Sequence, residues 1–131
     1  MKEFAMRLKE NADLKKSLEE AISANAIKAA VILSGVGCLK SCHIRLAGAR
    51  EWLDKKEDLE IVSLQGTLAE NGIHVHISVS DDRGNTFGGH LDTGCVVNTT
   101  CELVIAILEE YAFERQEDES TGYRELTVKK L

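Results

Sequence analysis

The chain has 131 residues, 44% of them hydrophobic, with 16 Lys+Arg against 22 Asp+Glu and a formal net charge of −6. That length supports one hydrophobic core, so residues 1–131 read as a single domain. The acidic balance argues against a chain that holds nucleic acid by itself, because that affinity comes largely from Lys and Arg releasing counterions.

No run approaches the ~18 consecutive apolar residues of a membrane span. The opening residues, MKEFAMRLKENADLKK, lack a signal peptide's apolar stretch, so a cytoplasmic protein with no membrane contact is expected. In a reducing compartment Cys38, Cys42, Cys95 and Cys101 read as small buried apolar residues rather than as disulfides. There is no proline and there are ten glycines, so turns must be built from Gly, Asn and Asp.

Residues 3–9 alternate as a first strand. From 11 to about 25, Leu14, Leu18, Ala21 and Ile22 recur at helical spacing with charges between them, which predicts one long N-terminal amphipathic helix capped by Asn11 or Asp13. The apolar run AAVILSGVG, residues 29–37, predicts a buried strand that ends in a turn near Gly37. In residues 41–46 alternation puts Ser41, His43 and Arg45 on one face and Cys42, Ile44 and Leu46 on the other. The charged stretch 51–60 reads as a solvated loop. Strands follow at 59–68 and 73–80, then more weakly at 96–99. Residues 101–108 fit strand or helix, and 111–115 and 123–128 flank an acidic loop at 117–119. Six or more strands with one or two helices, not alternating one by one, predict the α+β class with a largely antiparallel sheet.

The chemistry concentrates in GIHVHISVSDDRGNTFGGHL, residues 72–91. Strict alternation points Ile73, Val75, Ile77 and Val79 to the core and His74, His76, Ser78 and Ser80 to the other face. A three-residue loop Asp82-Arg83-Gly84 would set Ser80 opposite Thr86, Ser78 opposite Gly88 and His76 opposite His90. A two-residue Arg83-Gly84 loop would instead turn Phe87 onto the polar face. The first register keeps Phe87 and Leu91 on the apolar face and is preferred. Directly opposed Cβ atoms then lie ~5 Å apart and diagonal ones ~7 Å, within reach of converging imidazoles.

His74, His76 and His90 thus form a candidate set of neutral nitrogen ligands for a divalent metal, zinc first, with positions left for water or a ligand. The bland alternative is a polar strand face that needs no metal. Gly88 and Gly89 leave the spot uncovered, so a ligand can approach there. His43 has no partner at ligand spacing and reads as a surface or core-edge histidine. Cys38 and Cys42 lack a second pair, and Cys95 and Cys101 sit in apolar context. The HxH on a strand is shared with cupin barrels, but their later glutamate and histidine spacing is missing.

The order of MRLKENADLKKSLEEAI, AAVILSGVGCL, SLQGTL and HVHISVSDDRGNTFGGHLDTGCVVNTTCELVI resembles the plants-and-prokaryotes conserved (PPC) domain over nearly the whole chain, most specifically in the HxH followed by DxxGxxxGGHL. The resemblance implies a small α+β domain that forms a homotrimer, a strand at 101–108, and metal ligands at His74, His76 and His90. In plants the domain follows an AT-hook, and prokaryotic members are often described as DNA-binding by that association. No Arg-Gly-Arg-Pro segment occurs in these residues, so weak duplex binding is expected of the chain alone.

Three functions follow as alternatives. The first is a homotrimeric metal-binding module with a regulatory or ligand-binding role, whose partner is a small molecule or a protein. The second is a metal-dependent enzyme of hydrolase type, for which Asp92 and Glu102 are the candidate general bases. The third is DNA-associated transcriptional regulation, through a partner or through basic pairs such as Lys15-Lys16, Lys55-Lys56 and Lys129-Lys130 gathered by trimerisation.

Overall fold

The computed structural model describes residues 2–131. Its elements run β1 (Lys2–Lys9), α1 (Leu14–Ala24), β2 (Ala29–Arg45), β3 (Trp52–Lys55), β4 (Leu59–Ala69), β5 (Gly72–Ser80), β6 (Thr86–Leu91), β7 (Val96–Ile107), β8 (Tyr111–Asp118) and β9 (Tyr123–Lys130). The fold is therefore mostly antiparallel β with a single short helix, and the expected α+β class with one long N-terminal helix is corrected. Among the described residues 11 are helical.

The reason lies at both helix ends. Asn11 takes φ 76 and donates to the Val97 carbonyl, and the Val97 N–H returns a bond to Ala12. Residues 11–13 are spent on pairing with the start of β7 before the helix begins. Asp13, extended at φ −86 and ψ 123, then caps it by accepting from the Lys16 N–H at 3.0 Å. At the other end Ala26 turns to φ 50 and the helix stops.

The large sheet runs β1-β7-β2-β4-β5-β6, with β3 paired to the end of β2. Its pairings are all antiparallel. Instead of two strands broken by a turn near Gly37, residues 29–45 form one 17-residue strand. Against β7 its register shifts between Ile32 and Ser34, Gly37 and Cys38, and Leu39 and Ser41. Such bulges bend a strand without ending it. The bend carries the far end of β2 round to β6, where Ile44 pairs with Leu91 and Arg45 with His90. The pairings β2–β4–β5–β6–β2 thereby close into a ring.

Leu14, Leu18 and Ile22 of α1 pack on the apolar face of this sheet with Leu39, Ile44, Leu68, Val75 and Val79. Cys42, Cys95 and Cys101 are buried, Cys38 is half-buried, and all four are free thiols. Residues 101–107 belong to β7, which runs from Val96 to Ile107, and Leu108 follows it. The charged stretch 51–60 is not all loop, since Trp52–Lys55 pairs with Cys42–Arg45 as β3.

β8 and β9 form a separate two-stranded sheet in which Arg115 faces Leu126. Glu117 and Asp118, expected in a loop, end β8, and the turn closes at Gly122 with φ 78. This hairpin is moored to the main sheet. The Phe113 N–H donates to the Lys28 carbonyl, and Asn71 exchanges two hydrogen bonds with the Arg115 backbone, at 3.0 and 2.8 Å.

Candidate metal centre

The centre starts with the alternation of β5, where Val75, Ile77 and Val79 are buried while the intervening side chains face away from the core. Ile73 packs at the margin of the core. Register is then set by the loop. The Asp81 carboxylate accepts from the Arg83 and Asn85 N–H groups at 3.0 and 2.9 Å and from the Asn85 side-chain amide at 3.1 Å. Gly84 takes φ 82, a conformation only glycine adopts freely, and donates its N–H to the Asp81 carbonyl. These bonds fix the three-residue loop Asp82-Arg83-Gly84. Ser80 faces Thr86, Ser78 faces Gly88, Val79 faces Phe87 and His76 faces His90.

The three imidazoles converge. Ring centroids are 4.9 Å apart for His74 and His76, 5.2 Å for His74 and His90, and 5.9 Å for His76 and His90. One ring nitrogen from each lies within 4.8 Å of the other two. The His74 and His76 Nε2 atoms are 3.2 Å apart, close to the roughly 3.3 Å edge that two nitrogens share in a tetrahedron with ~2.0–2.1 Å zinc–nitrogen bonds. His90 Nδ1 is buried without a hydrogen-bond partner among the described residues. A buried polar group left so costs about 1–3 kcal/mol. The donor set and the unsatisfied nitrogen both fit a divalent metal.

The surroundings favour the neutral form of His74 and His90. Burial, then the positive Arg45 and the neighbouring histidines, pushes His90 down to about 4. His74 is lowered too, by burial first and then by His76 and Arg115. A neutral imidazole is the form that binds metal.

Gly88 and Gly89 have a packing role as well as the expected one. A Cβ at Gly88 would stand 2.2 Å from the Ile77 carbonyl oxygen, and one at Gly89 would stand 2.4 Å from that of Arg45. These glycines admit the neighbouring strands' backbones, so β6 fits between β5 and β2 and His90 reaches its place. Both glycines also line an open cavity with His76, His90 and Arg45, so the expected approach beside the histidines is present.

The other sequence candidates lie elsewhere. His43 Nδ1 bonds Asp54, and its ring stacks on Trp52 with centroids 6.0 Å apart. Asp92 accepts from Trp52 Nε1 at 3.2 Å and lies 3.8 Å from Lys15, outside the ligand group. Glu102 sits exposed on β7, between Arg7 of β1 and Val36 of β2. Of the basic pairs, Lys15 is spent on Asp92 and Lys55 on Glu57 at 3.3 Å. Sequence reading missed the residues that adjoin the histidines: Arg115 of β8 and Arg124 and Glu125 of β9 line a cleft with Arg45, His74 and His90. Arg45 was legible only as a polar-face residue. Its place opposite His90 depends on the bend in β2, and no local signal ties β8 and β9 to β5.

Residues 1–109 match the model of the Plants and Prokaryotes Conserved (PCC) domain. The chain belongs to this family. It is 42% identical over 128 residues to the bifunctional protein GlmU of Synechococcus sp. (strain JA-3-3Ab), an alignment covering 98% of this chain and 21% of that protein. The chain thus spans about a fifth of the length of the curated relatives it matches. A hypothetical protein from Salmonella is similar in structure, with a TM-score of 0.94 and 36% identity over 98% of this chain and 94% of that one. A metal-containing protein from Archaeoglobus fulgidus has a TM-score of 0.80 and 31% identity over 97% of this chain and 94% of that one.

Proposed function

We propose that this plants and prokaryotes conserved domain is a homotrimeric module that binds one divalent metal, zinc, through His74, His76 and His90, and uses the centre to hold a small ligand in a regulatory role. The observation that carries the reading is the convergence of three ring nitrogens from two paired strands within 4.8 Å. The metal-containing relative from Archaeoglobus fulgidus supports it. Three protein ligands leave a tetrahedral ion one further position, which an oxygen of water or ligand fills.

The role of a module is supported by the relatives in which the same domain makes up about a fifth of a longer, bifunctional protein. The two carboxylates expected as bases for a hydrolase are engaged or placed elsewhere, since Asp92 is held by Trp52 and Lys15 and Glu102 lies exposed on β7. Trimer formation draws support from the outer face of β2 and β4. There Leu33, Val36 and Val62 are 53, 58 and 57% exposed and border the groove that reaches His74 and His76. Exposed apolar side chains grouped in this way mark an interaction surface.

Zinc titration against a chromogenic chelator tests the site. Wild type and His43→Ala should each bind about one zinc per chain. His76→Ala and His90→Ala should each weaken binding by ~100-fold or more, and equal affinity in all four proteins would refute the assignment.

A further inference from the structure

The cleft beside the histidines has a chemistry of its own. It measures about 420 Å³, within the range of small-molecule sites. Three arginines from three strands line it: Arg45 of β2, Arg115 of β8 and Arg124 of β9, with Glu125 as the one carboxylate among them. Among the described residues none of these guanidiniums lies within 4.0 Å of a carboxylate. Surface arginines do this at little cost because water solvates them.

Arg115 does not have that solvent. Its exposure is 8%, the lowest of any charged residue described, and its Nε–H is buried with no acceptor. One arm of its fork is fixed by donation from Nη2 to Thr67 Oγ1 at 3.0 Å, and its backbone is clamped on both sides by Asn71. Arg124 is held beside it by donation from its Nη2 to the Arg115 carbonyl at 3.1 Å. A buried charge normally sits with a counter-charge. Here the protein orients a guanidinium and removes it from water, and the one carboxylate of the cleft, Glu125, lies beyond ion-pair distance.

We propose that this cleft binds a small oxyanion, a carboxylate or phosphate group, through Arg115 with Arg45 and Arg124. Guanidinium pairs with both groups through parallel charged hydrogen bonds. Arg115 and Arg124 lie beyond residues 1–109, the part of the chain that matches the family model. The site adjoins the histidines and requires no metal.

Calorimetric titration of the chelator-treated protein at low salt, with succinate and inorganic phosphate as separate probes, tests it. At least one probe should bind saturably at one per chain. Binding of succinate alone would assign a carboxylate ligand, binding of phosphate alone a phosphoryl ligand, and binding of both a general oxyanion site. Arg115→Gln should weaken binding by about tenfold or more, the worth of a charged hydrogen bond. Arg124→Gln, at an exposed side chain that leaves the core untouched, should weaken it in the same direction. His76→Ala should retain it. Arg50→Gln, which removes the same charge outside the cleft, should change it less than twofold. Absence of saturable binding by either probe would overturn the proposal, as would equal loss in Arg50→Gln. Anion binding retained in a protein that takes up no zinc would refute the metal reading alone.

Discussion

His90 is held neutral by its neighbours, and that has a measurable cost. Its pKa falls from 6.5 to about 4, through burial first and then through Arg45 and the other histidines. The unfolded chain, with an ordinary imidazole, takes up a proton between these values that the folded chain refuses. Folding stability therefore falls as pH drops from about 6.5 towards 4, and above that window both states are neutral and the effect vanishes. Urea unfolding of metal-free protein at pH 7 and pH 5 should show this loss, and His90→Gln should flatten it. An unchanged pH slope in the variant would mean that His90 carries no such shift. The same shift delays proton competition for metal at this ligand to well below the ~6.5 of a free imidazole.

At the scale of the element, the β5–β6 hairpin is a device for placing one histidine opposite another. It depends on close backbone approach at Gly88, where a Cβ would meet the Ile77 oxygen at 2.2 Å. Gly88→Ala should destabilise the protein by about 1–3 kcal/mol, the usual range for overpacking. It should also weaken zinc binding although it touches no ligand. A variant with unchanged melting temperature and affinity would contradict this role.

Much of the hairpin was legible in the sequence because its information is local. Period-two alternation assigned the faces, Gly84 supplied the turn, and Phe87 and Leu91 chose the register. The helix was overextended because Leu14, Leu18 and Ile22 give the period of a helix but not its ends. Its start is set by the pairing of Asn11 and Ala12 with Val97, far along the chain, and its stop by the turn at Ala26. The bend of β2 was read as a turn for a similar reason, since Gly37 looks the same locally in either. The arginines of the cleft were out of reach, because they meet the histidines only through the ring of strands and the mooring of β8 at Asn71.

At the scale of the whole molecule, the exposed side chains of Leu33, Val36 and Val62 need a cover, and a second copy of the chain is the proposed one. Light scattering should give three times the 14.4 kDa subunit mass at micromolar concentration. Leu33→Glu with Val36→Glu should shift that mass towards the monomer, and a monomeric wild type would remove the trimer from the account. The central claim is that strands from one closed ring deliver three imidazoles, and no thiol, to one metal. X-ray absorption at the zinc edge of the loaded protein tests that most directly. The account predicts nitrogen and oxygen scatterers alone at ~2.0–2.1 Å, with the multiple scattering of three histidine rings. Sulfur scatterers at ~2.3 Å, or a first shell without imidazole, would contradict it.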